Sequence, residues 1–347
     1  MLQRAMPDRS PVSMSSVPTG LLCRLMQIAG ERGIDSAAWC AGLQLEPEEI
    51  ADPSTRVSYR QAGEFILRAV RALGQPDLGL QVGGQQHPGN FGLIGLAMQT
   101  APGFGEAVRL GMAYQRVTGT LMEVELDDGH DTEASVVARA PDAPAEILPF
   151  LCEELFLSSA LVARELLGPG FRPLRVALAY PAPAYADRYA ELFGCEVRFG
   201  QPRNALTLDK AWLAVEFPGY NPVTARLAQD LCRQQLDSIR APQGETTASV
   251  ERYLRRHLSG NPPLAAIAGH LHLSERTLRR RLAAEGASFN ALHDRVRTEC
   301  AMRLLHDTRL NIAQIGMRVG FNDAREFRRA FKRWTGRTPS EVRTGES

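Results

Sequence analysis

Lysine is almost missing from this chain: of 40 basic residues only Lys210 and Lys332 are lysines, so its positive charge is carried by arginine. That bias assigns no function by itself, although guanidinium groups suit bidentate contacts to phosphate and guanine. Cysteine is sparse as well. The six thiols (Cys23, Cys40, Cys152, Cys195, Cys232, Cys300) are scattered, include no C-x-x-C pair and have no histidine at metal-ligand spacing. A disulfide framework and a zinc site are therefore not expected, and reduced thiols in a cytoplasmic protein are. No 18-residue apolar run occurs, and the first 20 residues are polar with no signal-peptide core, so neither spanning nor secretion is expected. H-E-x-x-H, G-x-S-x-G and P-loop patterns are absent, and Gly89-Asn90-Phe91-Gly92-Leu93-Ile94-Gly95 lacks the spacing and the lysine of a phosphate loop. No catalysis, no metal and no cofactor is predicted. His270 and His272, two residues apart in the first unit of a helical repeat, are explained by a turn position.

Charge is unevenly placed. Residues 248–347 hold 19 Lys+Arg against 10 Asp+Glu, or +9, which leaves 21 against 29, or −8, for the remainder of a chain with net charge +1. The two parts are thus predicted to meet different partners.

The basic part repeats one helical unit. Ile267-Ala268, Leu271-His272-Leu273-Ser274, Leu278-Arg279-Arg280 and Leu282 recur as Ile315-Gly316, Val319-Gly320-Phe321-Asn322, Phe327-Arg328-Arg329 and Phe331, at an offset of 48 to 49 residues. A short apolar helix, a tight turn and a capped second helix with an outward basic face make a helix-turn-helix, whose second helix fits a DNA major groove. Leu264, Ile267, Ala268 and Leu271 line the first helix, Ser274 caps the second, and Leu278 and Leu282 hold it to the core. Arg276, Arg279 and Arg280 then face outward. In the second unit Ile312, Ile315 and Val319 repeat the first helix, Gly320 turns the chain, and Asn322 or Asp323 caps a helix whose Phe327, Phe331 and Trp334 face the core. Arg325, Arg328, Arg329 and Lys332 form its opposite stripe. The predicted DNA-contacting set is Arg276, Arg279, Arg280, Asn322, Arg325, Arg328, Arg329 and Lys332, with Arg276, Arg280, Arg325 and Arg329 assigned to base edges. An ordinary solvated face is the alternative for a single stripe, but two stripes in matching register favour double-stranded DNA, met at two adjacent groove segments. Between the units, residues 288–307 read as one helix that fixes their spacing against the ~34 Å, ~10 base-pair repeat of the duplex.

Residues 1–16 read as a disordered tail and 17–239 as a mixed domain. Helical spacing runs from Pro18 to Gln85. Leu121–Leu126 and Ala134–Ala138 flank Asp127-Asp128-Gly129-His130 as a hairpin. A long apolar helix covers about Ala145–Leu167, followed by a strand over Leu174–Tyr180, a helix over Tyr185–Phe193, strands over Glu196–Phe199 and Ala205–Leu208, and a helix from Val223 to Ile239. Residues 240–247 have linker composition. The fold class is an α+β N-terminal regulatory domain (17–239) followed by an all-α DNA-binding domain (248–347) with two helix-turn-helix units. The 145–167 helix is either a dimer contact or a fully buried core helix. An apolar cavity in the N-terminal domain is the expected effector site, with Phe91, Tyr114, Gln115 and Arg116 as candidates.

Gly320-Phe321-Asn322-Asp323 with Phe327 to Arg343, Leu278-Arg279-Arg280-Arg281-Leu282, and Arg297, Ala301, Leu304 and Leu305 together resemble the DNA-binding region of AraC/XylS-type transcriptional regulators. Residues 88–95, 100–107, 172–176 and 193–200 resemble one branch of that family, with an arabinose-binding-like N-terminal domain, which includes regulators of ornithine utilisation. The resemblance implies a ligand-responsive regulator, usually an activator, that is a homodimer and contacts RNA polymerase. Arabinose itself is not expected, because the clustered His/Glu strands of the sugar-responsive sensor are absent. Arg325 stands where many relatives carry a small polar residue. Two rivals are a DNA-repair alkyltransferase sharing the module and a non-specific architectural DNA binder.

Overall fold

The computed structural model describes residues 14–52, 54–115, 119–238, 243–307 and 309–344, without the side chains of 14, 235–238 and 307. In chain order come β1 (Met14–Ser15), β2 (Val17–Pro18), α1 (Gly20–Glu31), α2 (Pro47–Ile50), β3 (Arg56–Val57), α3 (Tyr59–Leu73), α4 (Leu78–Gly83), α5 (Leu93–Gln99) and α6 (Phe104–Ala113). After these lie β4 (Glu123–Asp127), β5 (Glu133–Arg139), α7 (Leu148–Leu167), β6 (Arg175–Ala177), α8 (Asp187–Phe193), β7 (Glu196–Arg198), β8 (Asn204–Asp209) and α9 (Pro222–Ser238). The remainder is β9 (Gln243–Gly244), α10 (Glu245–His257), α11 (Leu264–His270), α12 (Glu275–Ala284), α13 (Phe289–Asp307), α14 (Ile312–Arg318), α15 (Ala324–Thr335) and α16 (Pro339–Thr344). Two compact units result. One holds Ser16–Ala41 and Glu46 through α9; the other holds β1, Gly42–Leu45 and the chain from Gln243 onward.

The first unit is built on a five-stranded sheet of order β4-β5-β8-β6-β7, antiparallel except for the β6/β7 pair. Edge strand β4 alternates exposed Glu123, Glu125 and Asp127 with half-buried Val124 and Leu126, whereas the inner β5 and β8 are buried almost throughout. A strand covered on both faces loses the alternation that an edge keeps. The long helix α7 is a core helix: Phe150, Leu151, Phe156, Leu157, Ala160 and Val162 are all buried. Helix α4 crosses it at backbone contact, since a Cβ on Gly79 would sit 2.5 Å from the Phe150 carbonyl and one on Gly83 2.8 Å from that of Glu154. Side chains at those two positions would force the helices apart. Buried Glu153 anchors the crossing, accepting from the Leu80 amide at 3.3 Å and from the hydroxyls of Tyr185, at 2.6 Å, and Tyr189. Burial pushes its carboxyl above the usual carboxylate range despite these donors.

The second unit is helical apart from the short β1/β9 pair, in which Met14 lies opposite Gly244. Its core gathers Leu254, Ile267, Leu278 and Leu282 from the first half with Leu292, Val296 and Ala301 of α13 and Ile315, Val319, Phe327 and Phe331 of the second. One continuous core thus spans both helical repeats. Residues 14–16, expected in a disordered tail, are instead paired, Ser16 donating its amide to the Val57 carbonyl at 3.0 Å; residues 1–13 lie outside the described residues. Likewise Glu245–Thr247, expected in a linker, form the first turn of α10. The Glu285 carboxylate accepts from the Thr246 and Thr247 amides at 3.0 and 2.7 Å, capping orphan donors at a helix start. Residues 239–242, the rest of the expected linker and the end of the preceding helix, lie outside the described residues. The Gly42–Leu45 segment also packs in this unit, the Gln44 carbonyl accepting from Arg252 Nη2 at 2.9 Å and from Ser249 Oγ at 3.2 Å.

His293 on α13 is buried, and its Nε2 has no hydrogen-bond partner among the described residues. Burial first and the neighbouring Arg297 second push its pKa down to about 4, with Asp294 opposing. A folded-state value below the unfolded 6.5 gives stability that is complete above pH 6.5 and is lost as pH falls towards 4. Between pH 7 and 5 the loss should be about 2 kcal/mol, and His293→Leu should flatten it, as measured by urea unfolding at a series of pH values.

Candidate nucleic-acid interface and ligand cavity

Helices α11 and α14 are the two short first helices, and α12 and α15 the two second helices. The turn of the first unit passes through His272 in the left-handed region (φ +54°), which accounts for this histidine without a ligand. In the second, Gly320 takes φ +83°, and a Cβ there would lie 2.5 Å from the Leu258 carbonyl, so both conformation and space require glycine. Ser274 Oγ accepts from the Thr277 amide at 3.2 Å, and Asp323 Oδ1 from the Arg325 amide at 2.8 Å. Of the two candidate caps on the second unit, Asp323 does the capping and Asn322 stays exposed.

Buried Leu278 and Leu282 hold α12, and buried Phe327, Ala330 and Phe331 hold α15. The 3.6-residue period then carries Arg276, Arg279 and Arg280, and Arg325, Arg328, Arg329 and Lys332, into solvent, and all seven are exposed. Arg279 reaches Glu275 at 3.8 Å, while Arg276, Arg280, Arg325, Arg328 and Arg329 have no ion-pair partner among the described residues. Unneutralised guanidinium groups in two matching rows attract a polyanion and can form two-pronged hydrogen bonds. Trp334, expected in the core, lies half-buried at its edge, with its ring 5.7 Å from that of Phe321.

Arg297, on α13, was not among the DNA-contacting residues expected from the stripes, and it joins the two repeats. Its guanidinium donates to the Val319 carbonyl at 3.0 Å, the Gly320 carbonyl at 3.2 Å and Asn261 Oδ1 at 2.7 Å, and lies 4.5 Å from the centre of the Phe321 ring. Such a role rests on tertiary contacts; in the sequence Arg297 stands out only among the positions that resemble the family, with Ala301, Leu304 and Leu305.

In the N-terminal unit α5, α6, α7 and the sheet line a partly open cavity of about 150 Å³. Phe91 and Gln115 line it. Tyr114 does not; it packs, partly buried, against the cluster that holds Ile94, Ala97, Ala107 and Leu110. Arg116 lies outside the described residues. Gln115 has both ends of its amide committed to β4, accepting from the Val124 N–H at 3.0 Å and donating to its carbonyl at 3.2 Å. Among the described residues no group of three or more His, Cys, Asp or Glu is placed to hold a metal, and no helix is long and apolar enough to cross a membrane. Burial pushes the Cys40 and Cys152 thiols up to about 12 and Cys195 up to about 11, the opposite of what an alkyl-accepting thiolate needs.

Residues 33–217 match the arabinose-binding domain of AraC transcription regulators, N-terminal part, and residues 267–345 a helix-turn-helix domain family. The ornithine utilization regulator of Pseudomonas aeruginosa is 32% identical over 329 residues, 94% of this chain and 96% of that protein. The transcriptional regulator VirS of Mycobacterium tuberculosis is 29% identical over 272 residues, 77% of this chain and 78% of that protein. A crystal structure of the transcriptional regulator CdpR from Pseudomonas aeruginosa aligns with 94% of this chain and 98% of its own at 24% identity and a TM-score of 0.47. The chain belongs to the AraC family of DNA-binding transcriptional regulators, in the branch with an arabinose-binding-type N-terminal domain.

Proposed function

We propose that this regulator is an effector-responsive activator that inserts α12 and α15 into adjacent major-groove segments of double-stranded DNA, acts in the cytoplasm as a homodimer and contacts RNA polymerase. The polymerase contact and the sign of regulation rest on the family resemblance alone. What supports the DNA reading is the pair of exposed arginine rows on helices whose other faces belong to one shared core. Arg276, Arg280, Arg325 and Arg329 are the base readers in this reading; Arg279, Arg328, Lys332 and Asn322 contact the backbone. Equilibrium binding to DNA from upstream of its own and neighbouring genes should exceed that to a scrambled duplex by ~10³-fold or more, and should weaken steeply with salt. Equal affinity for selected and scrambled DNA would leave only the architectural reading.

Helix α9 supplies the dimer surface in this proposal. Its Ala225, Ala228 and Cys232 are buried, whereas Val223, Leu227 and Leu231, at i, i+4 and i+8, are 76%, 61% and 36% exposed. An apolar stripe left open at helical spacing fits the same stripe of a second copy across a two-fold axis. Symmetry doubles the effect of a substitution there. Leu227→Glu should raise the dimer dissociation constant by about tenfold or more in sedimentation equilibrium, with the monomer's circular dichroism unchanged.

The effector binds in the α5/α6/α7 cavity and shifts the balance of domain or dimer arrangements by preferring one of them.

A further inference from the structure

We propose that the ligand of the N-terminal cavity is a small uncharged molecule, apolar over most of its surface and about the size of a single substituted aromatic ring, carrying one hydroxyl-like group; this rests on the reading of the cavity as the effector site. The walls carry the argument. Phe91, Met98, Phe104, Val162, Phe171 and Leu206 present only carbon and sulfur, and no charged side chain lines the cavity among the described residues. An amino acid bound there would bury an ammonium and a carboxylate with no counter-charge among the described residues, a desolvation cost that a few neutral hydroxyls do not offset. About 150 Å³ is the size of an apolar cavity known to take up benzene, so its interior seats a group of about six to ten non-hydrogen atoms.

The lining offers little polar chemistry: one amide and three hydroxyls. Gln115 is committed to β4. Ser158 and Ser159 donate their hydroxyl hydrogens back to the Leu155 carbonyl, at 2.9 and 2.7 Å, so toward the cavity they can only accept. Thr120 Oγ1 accepts from the Met122 amide at 3.1 Å, which leaves its own hydrogen to donate. An acceptor pair and one donor suit a phenol or an alcohol, which gives one hydrogen bond and takes one.

The test uses the full chain with p-cresol as the neutral probe, 4-hydroxybenzoate as the same ring bearing a carboxylate, and L-ornithine. Saturating p-cresol should raise the melting temperature of the N-terminal unit by about 5 °C, and the two charged probes should leave it unchanged. Gly111→Leu fills the cavity from α6: its Cβ would meet Met98 Sδ at an ordinary 3.5 Å, and leucine favours a helix over glycine. That variant should melt no lower than the wild type and lose the p-cresol shift. On the unaltered chain, nuclear Overhauser contacts from the p-cresol ring to the Met98 and Met112 methyl groups should place the probe inside. Stabilisation by ornithine or 4-hydroxybenzoate that Gly111→Leu abolishes would overturn the ligand class while keeping the cavity as effector site. No shift with p-cresol, or a shift with no contact to either methionine, would overturn the ligand proposal, and a p-cresol shift untouched by the filling substitution would overturn the effector reading of the cavity with it.

Discussion

Replacing Arg280 and Arg329 together by alanine is expected to abolish sequence-specific DNA binding while leaving the fold intact. Each side chain is exposed, lacks an ion-pair partner among the described residues and sits on the outer face of a helix whose inner face is held by buried Leu278 and Leu282, or Phe327 and Phe331. Truncating either one removes no internal contact, so the melting temperature should stay within about a degree or two of the wild type. A guanidinium reading a guanine contributes about 1–3 kcal/mol of discrimination, which makes each single substitution cost about 5- to 150-fold on the true site. The two residues lie on different helices with no shared partner among the described residues, so the losses should add, to about 30- to 10⁴-fold in the double variant. Binding to a scrambled duplex should fall far less, because backbone attraction is spread over the other basic side chains. Fluorescence anisotropy with both duplexes at several salt concentrations separates the effects. A base reader changes the gap between the duplexes; a phosphate contact such as Lys332 lowers both affinities and reduces the salt slope by about 1. Equal weakening on both duplexes by Arg280→Ala and Arg329→Ala would place these arginines on phosphates and favour the architectural reading.

The arginine rows were legible in the sequence because they depend only on local period: buried Leu278 and Leu282, or Phe327 and Phe331, determine which way their neighbours point, and the repeat displayed that pattern twice. The sheet hairpin at Glu123–Arg139 was legible for the same reason, its alternation and turn residues being local. What escaped was non-local. Met14–Ser15 and Gly42–Leu45 pack in the unit built mainly from Gln243 onward, and no periodicity in so short a segment announces a partner some 200 residues away. The cavity escaped in part: Phe91 and Gln115 line it, but Tyr114, adjacent to Gln115, does not, since both follow the end of α6, where the period of that helix no longer fixes the direction of a side chain. The choice between Asn322 and Asp323 as cap likewise needed the geometry, since either side chain can accept the bond.

Arg297→Ala is expected to lower the stability of the DNA-binding unit by about 3 kcal/mol and, in conditions where it remains folded, to weaken specific binding more than non-specific binding. The half-buried guanidinium makes charge-assisted hydrogen bonds to the Val319 and Gly320 carbonyls and to Asn261, and stacks on Phe321. Bonds from a charged donor contribute roughly 1.5–3 kcal/mol each when their acceptors are left without an alternative partner, and the partly exposed acceptors here recover some of that from water. The location matters as much as the energy. Val319 and Gly320 form the turn that aims α15, Gly320 has no room for even a Cβ against the Leu258 carbonyl, and Asn261 borders the start of the first helix-turn-helix. One side chain therefore ties the second reading head to the base of the first through the rigid α13. Loosening that tie leaves both arginine rows present but no longer fixed at one spacing, so the entropy of aligning two heads on a single operator must be met at each binding event. A duplex carrying only one half of the site removes that requirement: on it Arg297→Ala should bind about as well as the wild type, whereas on the full site its affinity should drop about tenfold or more. Equal loss on half and full sites would assign Arg297 to folding alone.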